Sequence, residues 1–130
     1  MKVLILIRGV PGSGKSTLAR RIVCSNATAV GPFEADSFMI DATGKYRFDP
    51  ARLGFAHGQC LKAVENAMVA GHPTIVQSNT NVTRKDMQPY IDLAMTFGYE
   101  VQEITVKANF GNTHGVPVEK VEQMKARFQP

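Results

Sequence analysis

A small parallel β-sheet covered by helices on both faces, a three-layer α/β/α arrangement, is what three features of this 130-residue chain predict. Apolar runs of strand length (Val3–Ile7, Ala29–Ala35, Pro73–Gln77 and Tyr99–Val106) alternate with segments of helical periodicity. The connections between those runs are long enough to hold the helices that parallel strands require. The first run passes directly into Gly9-Val10-Pro11-Gly12-Ser13-Gly14-Lys15-Ser16-Thr17, a strand–loop–helix boundary with glycines and a lysine at fixed spacing.

The elements follow in order. Val3–Ile7 forms the first strand, and the first helix runs from Lys15 to about Asn26. Gly31-Pro32 falls early in the second strand or just before it. Asp36–Arg47 is polar and glycine-containing, and reads as a mobile loop. Asp49-Pro50 has the pattern of an N-cap followed by proline at the first helical position. Leu53, His57, Cys60, Leu61, Val64 and Met68 then recur at helical spacing, and Gly71 closes that helix. After the third strand, Ser78–Thr83 is a loop of capping and turn residues. A third helix follows to about Phe97, with Met87, Tyr90, Ile91, Ala94 and Phe97 on its apolar face. Pro89 must lie near its first turn or kink it. Lys107–Gly115 is turn-like, and Val116-Pro117 starts a last helix bearing Val118, Val121 and Met124. No internal repeat, linker or low-complexity segment interrupts this pattern, which predicts a single domain over 1–130.

The run from Gly9 to Thr17 is a complete P-loop, and its chemistry explains its residues. Glycines let the backbone curl so that successive N–H groups face phosphate oxygens. The helix N-terminus adds positive dipole character. Lys15 brings a point charge to the β- and γ-phosphates, and Ser16 offers a hydroxyl to Mg²⁺. Gly9 to Thr17 are therefore the nucleotide-binding residues, with ATP and Mg²⁺ as the expected cofactors. Ligands of such folds bind beyond the carboxyl ends of the strands, where the P-loop, the Asp36 loop and the Asn79 loop should meet.

Composition bounds the alternatives. With 44% hydrophobic and 20% charged residues, the chain is of the soluble globular type. No apolar run reaches membrane-spanning length, and the short apolar start reads as the first strand, not a signal peptide. A net charge of +4 agrees with a polyanionic partner, but the basic residues are spread out, so a solvated surface explains them equally well. Cys24 and Cys60 both fall on predicted helices among apolar neighbours. They read as buried, reduced thiols, which fits a cytoplasmic compartment. His57 and His72 read as structural histidines.

Beyond the P-loop, nearly the whole chain resembles the small P-loop kinases related to polynucleotide 5′-hydroxyl kinase, in the P-loop NTPase fold. The resemblance rests on Leu6-Ile7-Arg8 with the P-loop, on Glu34-Ala35-Asp36-Ser37-Phe38, and on Tyr46-Arg47-Phe48-Asp49-Pro50. It continues through Ala56-His57, Ser78-Asn79-Thr80-Asn81 and Asn112-Thr113-His114-Gly115-Val116-Pro117. It implies that Asp36 is the general base, accepting the proton of a hydroxyl that attacks the γ-phosphate. A carboxylate at that end of the second strand suits such a reaction. An N-cap or loop aspartate is the plainer reading of the same residue. Glu34 would lie deeper on the same face, where it could hold Mg²⁺ through water. The resemblance also implies that the Asn79 loop shapes an acceptor pocket, with Asn79 and Asn81 available to a sugar, base or phosphate; ordinary turn chemistry is the alternative. Arg47 and Arg84 are acceptor-phosphate candidates or solvated surface arginines, and His114 lies in a kinase-like run.

Three departures from that pattern stand out. Met39 occupies the position, three residues after the base, where the kinases carry a phosphate-holding arginine. Gln77-Ser78 replaces a Walker-B aspartate, leaving Mg²⁺ to Ser16, the phosphates, water and Asp36 or Glu34. The lid around 107–115 is short, with Gly111 where an arginine is expected, and Lys107, Lys120, Lys125 and Arg127 are the cations that remain nearby. An arginine at the transition-state charge is worth about 10³–10⁵ in rate, so its absence predicts poor turnover. The leading expectation is a kinase transferring the γ-phosphate of ATP to a hydroxyl of a nucleic-acid or nucleotide-like acceptor. A non-catalytic ATP-binding module and a small-molecule kinase are the alternatives.

Overall fold

The structure, a computed structural model, describes residues 1–39, 42–45, 47, 49–107 and 118–130. Four parallel strands, β1 (Val3–Arg8), β2 (Ala29–Phe33), β3 (Thr74–Gln77) and β4 (Glu100–Thr105), lie in the order β2-β3-β1-β4. The helices are α1 (Lys15–Ser25), α2 (Leu53–Val69), α3 (Arg84–Phe97) and α4 (Val118–Arg127). The expected elements are all present, with ends shifted by a residue or two. The lid expected at 107–115 lies outside the described residues except for Lys107, as do His114 and the Val116-Pro117 start of α4.

The alternation in β1 builds both cores. Leu4 and Leu6 point to one face, where α2 and α3 cover them with Cys60, Val64, Met68, Met87, Tyr90 and Ala94. Ile5 and Ile7 point to the other, where they meet Val76 of β3 and Ala19 of α1. This period-two division is what a central strand buried on both faces requires. β2 lies at the edge of the sheet, and an edge strand tolerates the missing amide of Pro32.

Three local features differ from expectation. The Asp36 segment begins as ordered structure: Ala35–Phe38 forms a 3-10 turn, and Met39 behind it is 2% exposed within the α2/α3 core. Hydrophobic demand at Met39 thus ties down the start of a segment whose composition suggested a loop. On α2 the buried stripe is Ala56, Cys60, Val64, Ala67 and Met68, whereas Leu53 and His57 are exposed. A seventeen-residue helix can satisfy its apolar spacing along two adjacent edges, and the Leu53–His57–Leu61 edge is not the one that faces the sheet. Cys24 is exposed, correcting the expectation of a buried thiol, while Cys60 is buried as expected. Pro89 is the sixth residue of α3, past the first turn, so the carbonyl of Lys85 loses its intrahelical donor there. The helix is otherwise well started: Thr83 and Asp86 form a reciprocal capping box, and Gly98 ends the helix in a left-handed conformation.

Candidate functional site

The P-loop lies between the end of β1 and the start of α1, as its residues require. Gly12 and Gly14 have φ of 87° and 92°, a region that suits glycine alone. Gly14 is the N-cap of α1 and offers no side-chain cap to the helix. The first helical bond is Leu18 N–H to Gly14 C=O at 3.1 Å, so the amides of Lys15, Ser16 and Thr17 precede the helical ladder. Those amides are the donors that a phosphate chain would use. Gly9 is required for a steric reason: a Cβ there would overlap the Ser13 hydroxyl and meet the carbonyl of Val106. The Ser13 hydroxyl is itself buried, and among the described residues it is the side-chain polar atom left without a hydrogen-bond partner. A loop of unspent amides around an orphaned hydroxyl fits a ligand that brings its own oxygens.

Lys15 is 4% exposed. Burial pushes its pKa below the ordinary lysine value, and the carboxylates of Asp36 first, then Glu34, pull it back up. The predicted lysine and the predicted base therefore share one electrostatic environment at the carboxyl end of the sheet. Glu34 is also fixed directly: the Ser78 hydroxyl donates to its Oε1 at 2.6 Å. Ser16 is half-buried in the first turn of α1. Among the described residues no group of three or more His, Cys, Asp or Glu side chains is arranged to cage a metal.

The loop after β3 is where the structure departs most from the sequence expectation. Asn79 and Asn81, expected to reach an acceptor, are spent inside the protein. Asn79 Oδ1 accepts the Ala35 N–H at 2.7 Å, and its Nδ2 donates to the Tyr90 hydroxyl at 3.3 Å and to Cys60 Sγ at 3.6 Å. Asn81 Nδ2 donates to Gln77 Oε1 at 2.7 Å and to the carbonyls of Ile7 and Asn79, both at 3.1 Å. Its Oδ1 accepts from Gln77 Nε2 at 3.2 Å. Desolvation raises the pKa values of both Cys60 and Tyr90, which keeps this cluster neutral. The loop also holds the P-loop, because Thr80 C=O accepts the Gly9 N–H at 3.1 Å.

Arg84 is likewise committed. It forms a two-pronged ion pair with Glu103, with N···O distances of 2.6 and 3.0 Å, so its fork is filled by protein and not held open for an acceptor. Arg47 is exposed, and its backbone N–H donates to Met39 C=O at 2.8 Å. The chain position where the kinases carry an arginine is thus a core methionine, and Arg47 enters the turn beside it.

Arg8 is a buried organiser to which the motifs assign no role. It is 1% exposed, and it donates to the carbonyls of Asn81 at 3.0 Å and Gln129. Its guanidinium also lies 4.7 Å from the Phe128 ring centre and 3.6 Å from Glu103. It links the strand leading into the P-loop to the Asn79 loop and to the residues after α4. A charged residue ending an otherwise apolar strand was the one available signal. Of the four cations considered as lid substitutes, Lys125 pairs with Glu122 at 3.6 Å.

Parallel strands in the order 2-3-1-4 around a central strand that feeds the phosphate loop define a P-loop, kinase-like α/β domain. The family model described as an AAA domain matches residues 4–110, and the chain belongs to that family. Human NEDD4-binding protein 2 is 35% identical over 98% of this chain, which spans 8% of that protein's length. Kti12 of Chaetomium thermophilum, solved with ADP-AlF3, superposes with a TM-score of 0.69 at 14% identity, over 98% of this chain and 80% of that one. A Pnkp1/Rnl/Hen1 complex contains a chain that superposes with a TM-score of 0.65 at 20% identity, over 94% of this chain and 38% of that one. No described helix is long and apolar enough to cross a membrane.

Proposed function

We propose that the chain is an ATP-dependent phosphotransferase that moves the γ-phosphate of ATP to a hydroxyl on a nucleic-acid or nucleotide-like acceptor. The observation that carries this reading is the shared environment of Lys15, Asp36 and Glu34 at the carboxyl end of the sheet. A P-loop lysine alone reads as nucleotide binding. A carboxylate just past β2, one strand removed from β1 in the sheet, adds the group that would take a proton from an attacking hydroxyl. In this scheme the P-loop amides and Lys15 hold the donor phosphates, and Asp36 orients and deprotonates the nucleophile. Ser16 would be the direct ligand of Mg²⁺, which when bound neutralises charge on the phosphates. The ADP-AlF3 found with the Kti12 neighbour and the RNA repair setting of Pnkp1 agree with the two halves of the reading.

Incubation with labelled ATP and panels of 5′-hydroxyl oligonucleotides, nucleosides and small alcohols tests it. Label should move to one acceptor class, and Asp36→Asn should abolish transfer while ATP binding persists. Intact ATP binding with no transfer to any acceptor would refute it. That result would favour the second reading, an ATP-binding module without catalysis. The feature behind that reading is the end of β3, where Gln77, Ser78 and Asn79 stand with no carboxylate among them.

A further inference from the structure

The sheet has two edges, and they are not alike. β2 carries Pro32, which has no amide to offer a further strand, and its pairing to β3 shifts register between Val30 and Phe33. β4 has neither feature. It pairs with β1 without interruption from Glu100 to Thr105, and Val106 extends the ladder by donating its N–H to Arg8 C=O at 2.7 Å. Among the described residues no strand pairs with its outer side.

The hydrogen bonds fix which backbone groups face outward. The Glu100 N–H meets Lys2 C=O at 2.9 Å, and Val106 bonds to Arg8, so the even-numbered residues bond inward to β1. Backbone direction alternates along a strand, which turns the N–H and C=O of Val101, Glu103, Thr105 and Lys107 outward. The side chains divide as well. Val101 packs into the α2/α3 core. Ile104, in register with Ile7, lies on the opposite face, where α1 packs chiefly along β1, β2 and β3. Ile104 is thus a 36% exposed isoleucine towards the end of an open edge.

The charges make this edge complementary to itself. Glu100 and Glu103 precede Ile104 and Lys107 follows it, and all three are exposed. A parallel copy in register would set like charge on like. An antiparallel copy with its dyad at Ile104 sets Glu103 opposite Thr105 and Lys107 opposite Val101, with Lys107 diagonal to Glu103 on one face. A slip that moves the dyad to Glu103 would oppose two carboxylates. The dyad at Ile104 also makes the outward-turned residues hydrogen-bonded pairs that exchange both bonds. It leaves Ile104 in a non-hydrogen-bonded pair, where Cα atoms approach to about 4.5 Å.

We infer that β4 pairs antiparallel with β4 of a second copy of this chain, about a dyad at Ile104, and joins the two sheets into one. Main-chain hydrogen bonds and the covering of two exposed isoleucines drive the contact. The paired strands run in opposite directions, so the two P-loops open at opposite ends of the joined sheet and neither blocks the other. The inference stands apart from the kinase reading, because it needs no phosphate transfer.

Sedimentation equilibrium of the full chain between about 1 and 500 µM tests it. A monomer–dimer equilibrium should appear with a dissociation constant on the order of 10–100 µM, as suits a small interface. Ile104→Lys sets two cations face to face at the dyad and should weaken pairing about tenfold or more. Its melting temperature at dilution and its stabilisation by ATP should stay near wild type. Cross-linking reads the register. In a Cys24→Ser background, which leaves only the buried Cys60, Ile104→Cys should give a disulfide-linked dimer on oxidation. Gln102→Cys, which the dyad places opposite Val106 and not opposite itself, should not. A chain that stays monomeric over the whole range, a dimer untouched by Ile104→Lys, or cross-linking through Gln102→Cys in place of Ile104→Cys would each overturn the inference.

Discussion

Asn79→Ala is the substitution through which the structure can be tested most sharply. The wild-type amide accepts the Ala35 N–H at 2.7 Å and donates to Tyr90 at 3.3 Å and Cys60 at 3.6 Å. Ala35 is 5% exposed, so water has little access to replace the lost acceptor. A buried backbone donor left unpaired costs about 1–3 kcal/mol. Tyr90 keeps Cys60 and Gln77 as neighbours, so losing its bond to Asn79 adds only about 0.5–1 kcal/mol. The expected destabilisation is therefore roughly 2–4 kcal/mol, or about 6–15 °C in melting temperature for a domain of this size. Thermal unfolding of the nucleotide-free protein by circular dichroism reads it out. Because the freed segment leads into Asp36, kcat for phosphate transfer should also fall by roughly 10²-fold, with ATP affinity near wild type. Asn79→Asp keeps the acceptor for Ala35 and should recover most of the stability, despite a new charge beside Glu34 and Asp36. A melting temperature for Asn79→Ala within about 2 °C of wild type would show that Ala35 finds another partner and that Asn79 does not hold the Asp36 turn.

Further outcomes follow from the electrostatics of Lys15 and Glu103. Lys15→Met should abolish the thermal stabilisation given by ATP, yet raise the stability of the nucleotide-free protein by about 1 kcal/mol, since a costly buried charge is removed. Folding lowers the Lys15 pKa, so the unfolded chain binds the proton more readily. Wild-type stability should therefore gain a component as pH rises from the lowered pKa towards the ordinary lysine value, and Lys15→Met should lack it in denaturant titrations. Glu103 is shifted the opposite way for a carboxylate with a partner: its hydrogen bonds to Arg84 hold its pKa below the ordinary glutamate value. Its contribution is complete above that ordinary value and disappears as pH falls through the lowered one, so Glu103→Gln should flatten the acid limb of the stability profile. The same variant leaves Arg8 with carbonyl acceptors but no carboxylate; because Glu103 is exposed and its pairs are screened by solvent, the cost at neutral pH should be small, at most about 1 kcal/mol, measured by urea unfolding.

Sequence and structure agree where local physics decides. The β1 alternation, the left-handed glycines of the P-loop and the Thr83–Asp86 capping box are each governed by neighbours a few residues apart. The side-chain roles that motif reading missed depend on residues distant in the chain. Arg84 meets Glu103 19 residues away, and Asn79 meets Ala35 across 44. No periodicity in a single chain reports that an arginine opening a helix will be paired from the edge strand. The uncovered edge of α2 has the same origin, since its apolar spacing is correct and only the tertiary packing selects which edge meets the sheet.

Beyond the Gln77-Ser78 end of β3, the residue types of the following loop are set by such distant partners. A carboxylate at position 81 could only accept hydrogen bonds, yet this position must donate. Asn81 Nδ2 meets the carbonyl of Ile7 at 3.1 Å, that of Asn79 at 3.1 Å and Gln77 Oε1 at 2.7 Å, all acceptors, while Arg8 is occupied with the Asn81 carbonyl at 3.0 Å. An aspartate there would face three oxygens at 2% exposure and lose every one of those bonds. Asparagine also tolerates the left-handed φ of 50° at this position. Position 79 makes a second demand, an acceptor for Ala35 and a donor to Tyr90 on one side chain, which only an amide supplies in full. The loop therefore presents neutral groups that lock β1, β3 and the Asp36 turn together. Under the proposed function, the carboxylates among the described residues that would address a metal at this end of the sheet are Glu34 and Asp36, and both influence Lys15. Glu34→Gln should consequently weaken Mg²⁺-dependent ATP binding, read by titrating the metal at fixed nucleotide, whereas Asn81→Asp should destabilise the fold before it alters metal dependence.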